Sequence, residues 1–164
     1  RATTSSRRSR SSASSEVTTT ELRDYLYENI PLARAMEVDV EVAGPEPVVL
    51  TAPLEPNTNH RSTAFGGSVS TLATLAGWAA VHRRLTAEGR TAQVVIQSGT
   101  TDYVLPVRGA FRAVCEGIEP AQWHRLKRAF DRSGKGRAVV EVRVEVGGRS
   151  VARFEGAYVA IRLD

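Results

Sequence analysis

"NHRSTAFGGSVSTLATLAGW", residues 59–78, decides how the rest of the chain is read. A polar run, Asn59 to Thr63, leads into Gly66 and Gly67, and a segment of Ser, Ala, Thr and Gly then continues to His82, Arg83 and Arg84. The segment predicts a long helix over 67–88, which at 1.5 Å per residue spans roughly 33 Å. Val69, Leu72, Leu75 and Trp78 supply its volume, and the remaining positions are small. So long and slender a helix suits burial under a sheet that wraps it closely, not a place on the surface.

The flanks supply that sheet. "VDVEV" (38–42) alternates apolar and polar residues, "VVLTAPL" (48–54) follows the Gly44–Pro47 turn, and "AQVVIQSGTTDYVLP" (92–106) is a long strand with a bulge expected at Ser98–Gly99. "RGAFRAVCEG" (108–117) is expected to return antiparallel to it. Two alternating strands around Gly147–Gly148 carry the strongest hairpin signal, with Val140, Val142, Val144 and Val146 on one face and Glu141, Arg143 and Glu145 on the other. "EPAQWHRLKRAF" (119–130) predicts an amphipathic helix ending near Gly134, with Trp123, Leu126 and Phe130 inward. Thr20 reads as the N-cap of a first helix carrying Leu22, Leu26 and Ile30. The order defines an α+β domain: an antiparallel sheet around one long central helix, with a short inserted helix.

Composition sets the outer limits. The chain has 164 residues with 41% hydrophobic and 24% charged, one domain with a core of its own. Residues 1–15 carry four arginines, seven serines and no acid; without those arginines 18 basic residues balance 18 acidic ones. The net charge of +4 therefore belongs to the tail, not to a nucleic-acid-binding face. Residues 1–19 read as a disordered linker, leader or remnant, and residues 20–164 as the domain. Such a Ser/Arg segment also has the composition of a transit peptide. A single cysteine, Cys115, excludes an internal disulfide, and it reads as a packing residue. No apolar run nears the roughly 20 residues that cross a bilayer. The expected location is the cytoplasm, in a bacterium with a GC-rich genome, since 20 of 22 basic residues are arginine.

Asn59, Ser62, Phe65, Gly66 and Gly67 fall on the N-x-x-G-x-x-H-G-G spacing of the hotdog thioesterases of the phenylacetate type. "LRDYLYENIPLARAM", "NHRSTAFGGSVSTLATLAGW" and "YVLPVRG" together resemble the YiiD C-terminal family of thioesterases, over about residues 20–162. The resemblance implies a hotdog fold, a homodimer or dimer of dimers, and an acyl site between subunits. It implies hydrolysis of an acyl thioester on coenzyme A or an acyl carrier protein, with no metal or redox cofactor.

The amides that open a helix have no intrahelical partner, and the helix dipole puts partial positive charge there. Such donors suit the oxyanion of a thioester under attack by water. On this reading the Gly67 and Ser68 amides bind the oxyanion, Gly66 and Phe65 line the site, and Asn59 positions water or carbonyl. The phenylacetate-type pattern loses both of its acid-base groups: its helix carboxylate is here Thr74, and its His before Gly-Gly is Phe65. His60, through its imidazole, and Asp102 are then the candidates for moving the proton. His60 also reads as a loop histidine, and Asp102 as a surface charge. Ser68, Ser70 and Thr74 read as a hydroxyl row or as packing residues, and Gln97 and Ser98 as candidate lining at the bulge. The missing helix carboxylate leaves open a non-catalytic acyl-thioester binding module. A hotdog dehydratase, which needs His and carboxylate acting together, fits least.

Overall fold

The computed structural model describes residues 11–163, with residues 11–18 as backbone only. In chain order the elements are α1 (Ser11–Asn29), α2 (Pro31–Ala35), β1 (Asp39–Ala43), β2 (Val48–Ala52), a 3-10 turn (Glu55–Asn57), α3 (Gly66–Ala87), β3 (Ala92–Tyr103), β4 (Phe111–Cys115), α4 (Pro120–Ser133), β5 (Lys135–Val146) and β6 (Arg149–Arg162). The first helix begins at Ser11 and runs through Thr20, where an N-cap was expected. Of the expected tail, residues 1–10 lie outside the described residues.

Six strands form one antiparallel sheet in the order β1-β2-β4-β5-β6-β3. One expectation is corrected: β4 does not return against β3 but lies between β2 and β5, and β3 pairs with β6 at the edge. Residues 104–107 cross the open end of the sheet instead of turning back. The amides of Val104 and Leu105 donate to the carbonyl of Val151 at 2.9 and 3.1 Å, and Ala64 donates to the carbonyl of Val107 at 2.8 Å. Consecutive strands pair by default in a local reading, whereas here β5 and β6 lie between β4 and β3.

Helix α3 lies in the concave face of the sheet. Leu72, Ala73, Ala76, Ala79, Ala80 and Val81 are fully buried, and the sheet approaches closely enough to explain their size. A Cβ at Gly77 would stand 2.5 Å from the Tyr158 hydroxyl, which donates to the Thr74 carbonyl at 2.7 Å. Burying each larger side chain here, such as Leu72, contributes on the order of 1.5–3 kcal/mol.

The β5–β6 hairpin turns at Gly147 and Gly148, with φ of 56° and 79°, the left-handed pair that a two-residue turn needs. Val140, Val142 and Val144 face the core as the alternation predicts. Glu145 departs from it. The register shifts between Val144 and Glu145, and the Glu145 carboxylate is buried beneath Arg112 and Arg143, which both pair with it. Helix α4 starts on Glu119, whose carboxylate accepts the amides of Ala121 and Gln122, and ends at Gly134 in the left-handed conformation. Its Trp123, Leu126 and Phe130 are buried, as the spacing predicts.

Candidate active site

Asn57 anchors the segment that leads into α3. Its side-chain amide donates to the carbonyls of Met36 (2.9 Å) and Pro53 (2.8 Å), and its own carbonyl accepts the amide of Phe65 at 2.7 Å. Its Oδ1 is buried without a partner among the described residues. A bridge between Thr58 and Ala64 then closes a tight loop.

Asn59 organises that loop. Its Nδ2 donates to Thr63 Oγ1 at 2.9 Å and Ala64 O at 3.4 Å, while its Oδ1 accepts the amides of Arg61 (2.8 Å) and Thr63 (3.3 Å). Two donors and two acceptor positions exhaust the capacity of an asparagine side chain. The loop also holds Ser62 at φ 57°, a conformation that side-chain-bearing residues adopt sparingly. His60 and Arg61 project from it into solvent.

Helix α3 begins without a side-chain cap, since the N-cap residue is Phe65. The first backbone bond joins the amide of Val69 to the Phe65 carbonyl at 3.1 Å, so the amides of Gly66, Gly67 and Ser68 precede every intrahelical acceptor. Two aromatic rings account for the glycines. A Cβ on Gly66 would lie 3.3 Å from the Tyr103 ring, and one on Gly67 would lie 2.3 Å from the Phe65 ring. The Tyr103 hydroxyl donates to the Gly66 carbonyl at 2.8 Å. Phe65, Tyr103 and Val104 are themselves 58%, 55% and 58% exposed, which makes an apolar rim around the helix start. Behind it, Ser70 Oγ donates to the Gly67 carbonyl at 3.1 Å and Thr74 Oγ1 to the Ser70 carbonyl at 2.8 Å. Both oxygens keep lone pairs for a further donor, and Ser68 stands half-buried beside them.

Strand β3 separates the remaining candidates by face. Its register against β6 shifts between Ile96 and Ser98, so the bulge falls at Gln97, one residue before the expected position. Beyond it Gly99, Thr101 and Tyr103 face the α3 side, opposite Gly156, Phe154 and Ala152. Ser98, Thr100 and Asp102 face away, and Gln97 accepts Arg137 Nε at 2.8 Å on that same side. Asp102 lies opposite Arg153 and lines a shallow hollow of about 670 Å³ with Thr100, Glu116, Arg143 and Glu155. That hollow is on the far side of the sheet from the start of α3. Thus Phe65, Gly66, Gly67, Ser68, Ser70 and Thr74 share the first turns of α3, with Asn59 and His60 in the loop that leads into it, whereas Gln97, Ser98 and Asp102 face away from that helix within one protomer.

Sequence reasoning missed two residues of this site. Tyr103 adjoins Asp102, and strand parity counted across the bulge places it on the α3 side. Asn57 carried no signal beyond its place in the Pro56–Asn57 corner. Cys115 is buried, and burial raises its thiol to about 11, consistent with a packing residue. No described helix is long and apolar enough to cross a membrane.

A six-stranded antiparallel sheet wrapped on one long helix that opens with Gly-Gly defines a hotdog-fold protein. The chain belongs to the YiiD C-terminal family, described as "putative thioesterase", whose model matches residues 19–162. It is similar to a crystal structure of a Chlorobaculum tepidum TLS protein of unknown function, with 27% identity over 90% of this chain and 96% of that one, at a TM-score of 0.82. It is also similar to a putative thioesterase from Shewanella oneidensis, with 26% identity over 89% and 99% of the two chains and a TM-score of 0.79. A mutant of the phenylacetic acid degradation protein of Thermus thermophilus shares the fold, at 23% identity over 81% and 99% of the chains and a TM-score of 0.60.

Proposed function

We propose that the chain hydrolyses an acyl thioester at the start of α3. The observation that carries this reading is the uncapped helix start, where the amides of Gly66, Gly67 and Ser68 lack intrahelical acceptors beside an exposed apolar rim. The amides of Gly67 and Ser68 hold the thioester oxygen as negative charge develops on it. Water attacks the carbonyl carbon, a C–O bond forms, the C–S bond breaks, and acid and thiol leave. His60, in the loop that Asn59 shapes, takes the proton from the attacking water and returns it to the departing sulfur. Asn59 acts by fixing that loop, and the lone pairs of Ser70 and Thr74 hold the water. The acyl chain is carried by coenzyme A or by a carrier protein.

The site is completed by a second copy of the chain. Among the described residues one side of β3 has no strand beside it, and Val95, Ile96 and Tyr103 are exposed along its length. A long edge strand whose backbone groups lack a neighbour is a template for pairing. An antiparallel two-fold pairing of β3 with its copy sets the Ala92 end of one strand beside the Tyr103 end of the other.

One observation favours a second reading, an acyl-thioester binding module without turnover: the helix position facing the site is Thr74, whose hydroxyl donates to Ser70, and not a carboxylate. Release of free thiol from a panel of acyl-CoA and acyl-carrier-protein thioesters separates the two. Turnover that falls at least tenfold in Asn59→Ala supports hydrolysis at this loop. Saturable acyl-CoA binding with no thiol released from any substrate supports the binding module.

A further inference from the structure

Helix α4 presents a line of positive charge that the fold leaves uncompensated. Arg125, Arg128 and Arg132 recur at i, i+3 and i+7 and share one face, with His124 beside them and Lys135 just past the helix end. All five are exposed, and none has a carboxylate partner among the described residues.

The carboxylates of this region are all engaged elsewhere. Glu119 accepts the amides of Ala121 and Gln122 at 3.0 and 2.9 Å. Asp131 receives Arg90 through two bonds of 2.9 and 2.8 Å. Glu88 takes the indole of Trp123 at 2.8 Å, Arg90 at 2.7 Å and Lys127 at 3.5 Å. The same contacts make α4 a rigid platform. Gln122 accepts the Val139 amide at 3.2 Å, Arg162 donates to the Phe130 carbonyl at 2.8 Å, and a Cβ at Gly136 would stand 2.2 Å from the Leu126 carbonyl oxygen.

We propose that the outward face of α4 docks an acidic helix of an acyl carrier protein. The inference rests on the thioesterase reading and selects the carrier among its substrates. A single phosphate is a point anion and calls for a cluster of donors. Arg125 to Arg132 instead spread charge over about 10 Å of helix axis, the repeat of another helix carrying acids along one face. The placement agrees. Arg162, at the register partner of Ala92, reaches α4, so α4 sits toward the Ala92 end of β3 and the helix start toward the Tyr103 end. Antiparallel pairing of two copies therefore brings the α4 of one to the side of the other's Gly66–Ser68. One subunit docks the carrier while its partner receives the acyl chain.

The test uses the whole chain and a bacterial holo acyl carrier protein without an acyl group, so that binding is read independently of hydrolysis. Calorimetric titration at low salt is expected to show binding that the reversal Arg125→Glu/Arg128→Glu/Arg132→Glu weakens at least tenfold. A milder variant, Arg128→Ala/Arg132→Ala, is expected to weaken it several-fold and guards against misfolding of the first. With acylated carrier, kcat/KM falls at least tenfold in the triple variant and declines steeply with salt, while acyl-CoA turnover stays within twofold. Carrier binding that the reversal leaves unchanged overturns the proposal. So does equally tight, reversal-sensitive binding to a DNA duplex or to vesicles of anionic phospholipid. If no thioester of either kind is hydrolysed but holo-carrier binding is lost in the variant, the thioesterase reading fails and the docking surface stands.

Discussion

The two ends of α3 are built in opposite ways. At the C-terminal end Arg84 stacks over the Trp123 ring at 4.5 Å and pairs with Glu46, while Glu88 ties Arg90, Lys127 and the Trp123 indole together. Positive charge there also complements the helix dipole. At the N-terminal end the cap residue is an exposed phenylalanine, three amides precede the first backbone bond, and exposed Phe65 and Tyr103 rings stand against Gly66 and Gly67. Satisfied groups hold the helix in place. Donors left without protein acceptors, next to apolar surface, are available to something that is not part of the chain.

This contrast is open to attack from both ends. Trp123→Ala removes a buried ring and leaves Glu88 short of a donor, at a cost of about 3–5 kcal/mol in denaturant unfolding. Thioester hydrolysis per folded molecule is expected to hold; a collapse of activity in a folded variant would show that the C-terminal end is not merely structural. Gly67→Ala makes the converse claim. Its Cβ meets the Phe65 ring at 2.3 Å, so ring or helix start must shift. Displacement of about 1 Å at a reacting centre costs up to about 100-fold in rate. Because the ring is exposed and free to swing, thermal stability should move little, and kinetics beside a melting curve checks both.

Asn59→Ala sharpens the comparison within the N-terminal end. The amides of Arg61 and Thr63 lose their acceptor, at about 1–2 kcal/mol of stability. Activity should fall as the loop carrying His60 loosens. If stability falls and KM and kcat do not change, the loop is scaffolding only.

The smallest effect concerns the middle of the helix. His82 stacks on Trp78 at 4.8 Å and on Tyr25 at 5.8 Å, and burial, with Arg83 adjacent, lowers its pKa below the ordinary 6.5. In the unfolded chain the imidazole takes a proton more readily, so its contribution is full above pH 6.5 and is lost as pH falls from there toward the lower folded value. His82→Phe should flatten the decline of melting temperature over that acidic window, and an unchanged pH profile would remove His82 as its cause.

Parts of this fold were legible without coordinates because their information is local. The Gly147–Gly148 turn needs left-handed φ values, α4 needs Glu119-Pro120 in front and Gly134 behind, and the valines of β5 alternate toward the core. The small residues of α3 announced a close sheet, and Tyr158 against Gly77 supplies it. What failed was parity and partnership. Asp102 was singled out for its carboxylate alone, yet it faces away from α3 beside Arg153, while Tyr103, one residue on, reaches the helix start, because side chains alternate between the two faces of a strand. Pairing β4 with β3 failed because the residues between them make their bonds to Val151 and Ala64, distant in sequence.

By itself the sequence determined an antiparallel sheet around one long central helix, since periodicity and turn chemistry act over a few neighbouring positions, and its resemblance to the YiiD C-terminal family supplied the hotdog class and the Gly-Gly helix start. The tertiary structure alone decided which face of β3 meets that helix, why Asn59 has no hydrogen-bonding capacity left, and where the unpaired arginines of α4 stand. Those facts depend on hydrogen bonds and ion pairs between residues tens of positions apart, and no local pattern encodes them.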